Sequence, residues 1–239
     1  MNVLWALIDV TVRGLLGRRR LLLMLLLASI PVILGVLVSL RGGRGDVDRV
    51  LGVLIVQTVM PLVALILGTA ALGSEIEDGT MIFLVTKPIA RWVIAFAKVL
   101  VAVAATTFLM VPVTIVTGLL IGGLDPESVD TTLAFAIACA AGGSAYAAVF
   151  VALGSLTARA LVAGLVYVLI WEGALGGLLE GTKFLSIRQA TLGIVAGLGG
   201  GHEGQPIAAG VAAAVITAAI VASLAIASWR LARFEVRAD

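Results

Sequence analysis

The chain has 239 residues, 61% of them hydrophobic and 13% charged, with sixteen Lys and Arg against fourteen Asp and Glu. Soluble domains sit near half apolar and about a quarter charged, so a chain of this length cannot hide its apolar surface in a core of its own and belongs in a bilayer. The basic residues cluster at the ends of apolar runs with no aromatic platform between them, which excludes a nucleic-acid surface, and the single cysteine, Cys139, excludes an internal disulfide.

Residues 1–18 open with Val3, Leu4, Leu7, Ile8 and Val12 at helical spacing, with Asp9 and Arg13 off that stripe. An amphipathic helix in the inner membrane interface, anchored by Trp5, fits this pattern better than a frayed lead-in to the first span. Arg18, Arg19 and Arg20 then precede an apolar run, the layout of a signal peptide. That run, Leu21–Leu40, is long enough to cross about 30 Å of hydrocarbon, and no small-residue cleavage site follows it. It is expected to be a retained first span.

Five further spans are expected over Val50–Leu72, Val93–Ile121, Thr132–Thr157, Leu161–Leu179 and Ile207–Trp229. The fold class is therefore an all-α integral membrane protein with six transmembrane helices in a single domain, 1–239. Pro31, Pro61 and Pro112 fall inside the first three spans, and each should kink its helix. Ala138–Ala148 is rich in Ala, Gly and Ser, and Gly118 and Gly122 form a small-xxx-small pair. Such surfaces let helices approach closely.

With the N-terminus inside, the inner segments hold Arg13, Arg18, Arg19, Arg20, Lys87, Arg91, Lys98, Arg159, Arg230, Arg233 and Arg237. The outer segments hold Arg41, Arg44, Arg49, Lys183 and Arg188. This asymmetry puts both termini in the cytoplasm. The outer loop expected over Gly122–Thr131 agrees, with Asp125, Glu127 and Asp130 and no basic residue.

The inner connection after the second span carries the most information. Glu75, Glu77 and Asp78 follow a Gly-Ser pair and suit a helix N-terminus. Ile76, Thr80, Phe83 and Leu84 share a helical face, and Pro88 ends it. Arg91 and Lys98 mark re-entry into the membrane. The segment 74–91 reads as a short amphipathic helix on the inner surface, acidic enough to favour a protein partner over anionic lipid.

The outer stretch 180–206 holds Phe184, Leu185, Ile187, Leu192, Ile194 and Val195, apolar enough for short helices that dip back into the outer surface. Glu172, inside the fifth span and toward its outer end, is a costly residue there and a functional candidate by default. It is either neutral, hydrogen-bonded to a Ser or Tyr on a neighbouring helix and purely structural, or it lines the substrate path or stabilises the turn into the outer hairpin. His202, the only histidine, has only Glu203 beside it and makes no metal site. No catalytic dyad can be assembled, and no G-x-x-x-x-G-K-[ST] loop occurs, so the chain binds no ATP by that route.

Glu75, Glu77, Gly79, Thr80, Pro88, Arg91 and Lys98 together resemble, in order and spacing, the E-x-E-x-G-T … P-x-x-R … K run of type 2 ABC exporter permeases, the ABC-2 family. Asp78 and Lys87 depart from that pattern. The resemblance implies that 74–91 is a coupling helix, with Glu75, Glu77, Gly79, Thr80, Phe83 and Arg91 seated on a separate ATP-binding cassette subunit. ATP and Mg would be bound by that partner and nothing by this chain. It further implies export across a bacterial inner membrane, and pairing with a second permease copy or a sister permease. An apolar interior without charged rings favours a hydrophobic or amphipathic cargo. Two other classes explain a docking helix or a multi-pass chain. A membrane scaffold or assembly factor would need no ATP, and a secondary transporter should show buried charges near the midplane, where only Glu172 qualifies.

Overall fold

The computed structural model describes residues 8–9, 11–12, 14, 17–40, 45–77, 90–157, 159–175, 184–201 and 207–233. Among these the chain is all-α. Helix α1 is Arg18–Leu40. Helix α2 runs without a break through Val47–Val50, a π-helical Leu51–Val59 and Met60–Glu77. Helices α3 and α4 are Arg91–Gly122 and Pro126–Leu156. Helix α5 joins Ala160–Val166 to a π-helical Tyr167–Leu175. Helices α6 and α7 are Ile187–Gly197 and Ala209–Ala232.

Five of these helices are long and apolar enough to cross a membrane: α1, α2, α3, α4 and α7. The fifth expected run, Leu161–Leu179, is helical over its described part. At 1.5 Å per residue, Ala160–Leu175 reaches at most about 24 Å, short of the hydrocarbon thickness. Residues 176–179 of that run lie outside the described residues.

Helix α4 is the hub, with α2, α3, α6 and α7 all packed on it. Small residues make this possible. A Cβ on Gly68 of α2 would lie 2.6 Å from the Phe150 Cβ and 2.9 Å from the Ala147 carbonyl oxygen, so α2 and α4 meet backbone to backbone. Gly118 of α3 leaves room for Thr132 of α4, and Gly142 of α4 leaves room for Thr191 of α6. Ala138, Ala145, Ala147 and Ala148 are fully buried between them. The small-residue run read from the sequence is thus the core itself.

Helix α1 packs chiefly on α3 and leaves Leu22, Leu26, Ile33 and Leu40 exposed. Helix α5 rests on α2 and α4 and exposes Leu161, Val162, Leu165, Leu169 and Ile170. These apolar faces are left uncovered by the rest of the described chain. Of the N-terminal segment, Ile8 packs against the core and Thr11 is buried, while the anchor Trp5 lies outside the described residues.

One expectation is corrected. The outer loop Gly122–Thr131 shrinks to a turn at Gly123, Leu124 and Asp125, because Pro126 starts α4. Proline is suited to the first helical turn, Glu127 favours the positive end of the helix dipole, and Gly123 supplies the left-handed φ of 80°. Helices α1 and α3 continue through Pro31 and Pro112. At Pro61 the helix also continues, and the π-helical stretch ends two residues earlier. A proline ring crowds the carbonyl one turn back, and widening the preceding turns relieves that contact.

Candidate functional site

Chain direction sorts the residues by end. The start of α3, the start of α5 and the end of α7 fall at one end of the bundle, with the end of α2. They bring Arg91, Arg159, Arg230 and Arg233 to that end. The Arg233 guanidinium stands 4.3 Å over the Trp229 ring, an arrangement suited to a headgroup boundary.

Glu75 and Glu77 are the last helical residues of α2 rather than the opening of a new helix. Helix α2 carries on through Gly73 and Ser74, since an interior glycine costs only about 1 kcal/mol, too little to stop a helix already formed. Arg91 is the first residue of α3, half-buried, and one of its guanidinium nitrogens is buried with no acceptor among the described residues. Lys98 lies two turns further on. It is 1% exposed, inside the bundle.

The opposite end is built around Glu172. This residue sits in the π-helical part of α5, 3% exposed, and its two carboxyl oxygens take three donors. The Ser186 hydroxyl donates to one oxygen at 2.5 Å. The Tyr167 hydroxyl, at 3.2 Å, and the Ile187 backbone N–H, at 3.0 Å, donate to the other. The Arg188 guanidinium donates to the Glu172 carbonyl oxygen at 3.3 Å. Ser186 is also the N-cap of α6, and its hydroxyl oxygen accepts from the Gln189 N–H at 3.1 Å. An aromatic stack supports the site from α4. Tyr146 lies parallel to Phe150 at 6.0 Å, and Phe150 meets Tyr167 edge to face at 6.1 Å.

Residues 43–236 match the family model described as ABC-2 family transporter protein. The chain belongs to the ABC-2 family. No curated protein matches it significantly. As an ABC-2 permease it is a multi-pass membrane component of an ABC transporter, and the family implies partnership with an ATP-binding cassette subunit.

In this permease the matched region starts after α1 and takes in both ends just described. Of the residues read as coupling residues, Glu75, Glu77 and Arg91 flank one connection, between α2 and α3. Gly79, Thr80 and Phe83, with most of the segment 74–91, lie outside the described residues. So do His202 and Glu203 of the outer stretch 180–206, whose described part supplies α6. Among the described residues no group of three His, Cys, Asp or Glu could hold a metal ion.

Glu172 stands out in the sequence as a misfit, but its particular partners do not. One signal points to them. Ser186-Ile187-Arg188-Gln189 has the S-x-x-Q form of a capping box, a pattern of four letters that marks the start of α6.

Proposed function

We propose that the chain is an export permease whose inner connection between α2 and α3 receives the movement of a separate ATP-binding cassette subunit. The observation that carries this reading is the family match together with the position of the acidic motif. Glu75 and Glu77 close α2, and Arg91 opens its neighbour α3. A push at that connection acts on two helices at once, and both bear directly on the hub α4. ATP and Mg belong to the partner, and the substrate leaves between two permease copies, or between this chain and a sister.

The excess of arginine at the end holding Arg91, Arg159, Arg230 and Arg233 supports placing that end, and both termini, in the cytoplasm. Apart from Lys98 and Glu172, the buried interior among the described residues is apolar or hydroxyl-bearing, and the hydroxyls of Thr106 and Thr114 donate to carbonyls of their own helix. This supports a hydrophobic or amphipathic cargo.

The test is purification in mild detergent from the native host, with mass spectrometry of what co-purifies. A stoichiometric ATP-binding cassette subunit is expected. Glu75→Arg with Glu77→Arg should release it while leaving membrane insertion intact. Retention of the subunit by the doubly reversed variant would remove the docking role from these acids. A crosslinked preparation with no ATPase would favour a scaffold.

A further inference from the structure

The Tyr167–Glu172 hydrogen bond joins residues five apart in sequence. In an α-helix, at 3.6 residues per turn, such residues point about 140° apart and cannot meet. In a π-helix, bonded i to i+5, they share a face. The bond is therefore available only while Tyr167–Leu175 keeps its π winding. The same carboxyl group takes the Ser186 hydroxyl and the first backbone N–H of α6. If Tyr167–Leu175 rewound to α, Glu172 would swing away from Tyr167, Ser186 and Ile187 together.

We propose that Glu172 is a latch that makes the winding of α5 and the seating of α6 one two-state element. In the latched state α5 is π-wound and α6 lies on α4 and α7. In the released state the outer end of α5 is α-wound, and α6 has lost its cap and its tie.

Three features fit a switch better than a plain strut. Among the described residues the hydrogen bonds to the Glu172 carboxyl come from Tyr167 of α5 and from Ser186 and Ile187 at the start of α6, so rewinding α5 moves the carboxyl away from all three. Phe150 holds the Tyr167 ring edge to face from the hub, which fixes the π register from outside α5. The seat of α6 is close: Thr191 sits against Gly142, and Gly193 and Gly197 admit Ile207 and Ala209. Lifting α6 would uncover Ile187, Ala190 and Val195 of the core together with Thr191, so its release is a single concerted step. The inference stands on these contacts and does not depend on what the permease carries.

The experiment uses the full chain in lipid nanodiscs, with Cys139→Ala to remove the native thiol and Thr191→Cys as a reporter. Thr191 is fully buried on the face of α6 that meets α4, so a charged maleimide reaches the new thiol only when α6 lifts. Glu172→Gln should raise the labelling rate about tenfold or more, the scale of a lost carboxyl hydrogen bond. Tyr167→Phe removes a donor that lies on α5 itself, yet it should also raise the rate, by about threefold, because it frees the π winding. Labelling of Tyr167→Phe at the parental rate would overturn the coupling and leave Glu172 a simple cap. An unchanged rate in Glu172→Gln would overturn the latch altogether. Hydrogen exchange of the reporter parent covers the case of a variant that fails to fold: Tyr167–Leu175 and Ile187–Gly197 should open with a common protection factor. Distinct protection factors would refute a single two-state element.

Discussion

At the scale of single residues, glycine decides where helices touch. Gly68 has no space for a side chain, since a Cβ there would meet the Phe150 Cβ and the Ala147 carbonyl. Backbone on the hub helix cannot step aside as a flexible side chain can. Gly68→Val should therefore cost more than about 2 kcal/mol, read as a fall in the thermal midpoint of the detergent-solubilised chain. Gly210 is the contrasting case, with nothing within 4 Å of its added Cβ in the first turn of α7. Gly210→Ala should be neutral to stabilising, by up to about 1 kcal/mol, in the same measurement. Two glycines in apolar helices thus carry opposite signs, and the sequence alone does not distinguish them. Ser186 is similar. Its capping pattern is visible in four letters, but its bond to Glu172 crosses fourteen residues and depends on how α5 is wound.

At the scale of elements, apolar length is legible in the sequence and winding is not. The runs that form α1, α2, α3, α4 and α7 stand out because a bilayer demands some twenty apolar residues whatever their order. Their ends are harder. Pro126 sits among acids that suggest a loop, yet the first turn of a helix tolerates proline and favours acids. Pro126→Ala should accordingly change stability by less than about 0.5 kcal/mol, since the missing N–H had no partner within the helix. A chemical-denaturation series on the purified chain would measure this, and a loss of several kcal/mol would show that α4 starts elsewhere. The π-helical stretches Leu51–Val59 and Tyr167–Leu175 have no signature in hydrophobic period, because fully apolar segments carry no stripe to phase. What fixes them is local chemistry: a proline two residues past the first, and a tyrosine–glutamate pair within the second. The coupling motif is legible for the opposite reason. Its acids, glycine and threonine stand in an apolar chain, and only the place of Glu75 and Glu77 at the end of α2 leaves no mark in the letters.

At the scale of the whole molecule, Arg91, Arg159, Arg230 and Arg233 share one end of the bundle, and the proposed orientation rests on them. The orientation proposed above has a direct check. A cysteine at Gly201 should react with an impermeant thiol reagent on intact cells, and one at Arg233 should react only after permeabilisation. Gly201 is exposed at the end of the bundle that carries α6, and Arg233 lies at the opposite end. The reverse pattern would invert the permease and move the acidic motif away from any cytoplasmic motor.

The hub has a consequence for how the protein is made. Helices leave the ribosome in order, and α2 and α3 emerge with glycine-lined faces shaped for a helix not yet synthesised. Until α4 enters the bilayer, Gly68 and Gly118 have nothing to close upon. Nascent chains stopped before Pro126 should therefore be held at the insertion machinery or degraded. Chains extended past Thr157 should survive, because the stretch that completes the core is also the one that ends the wait.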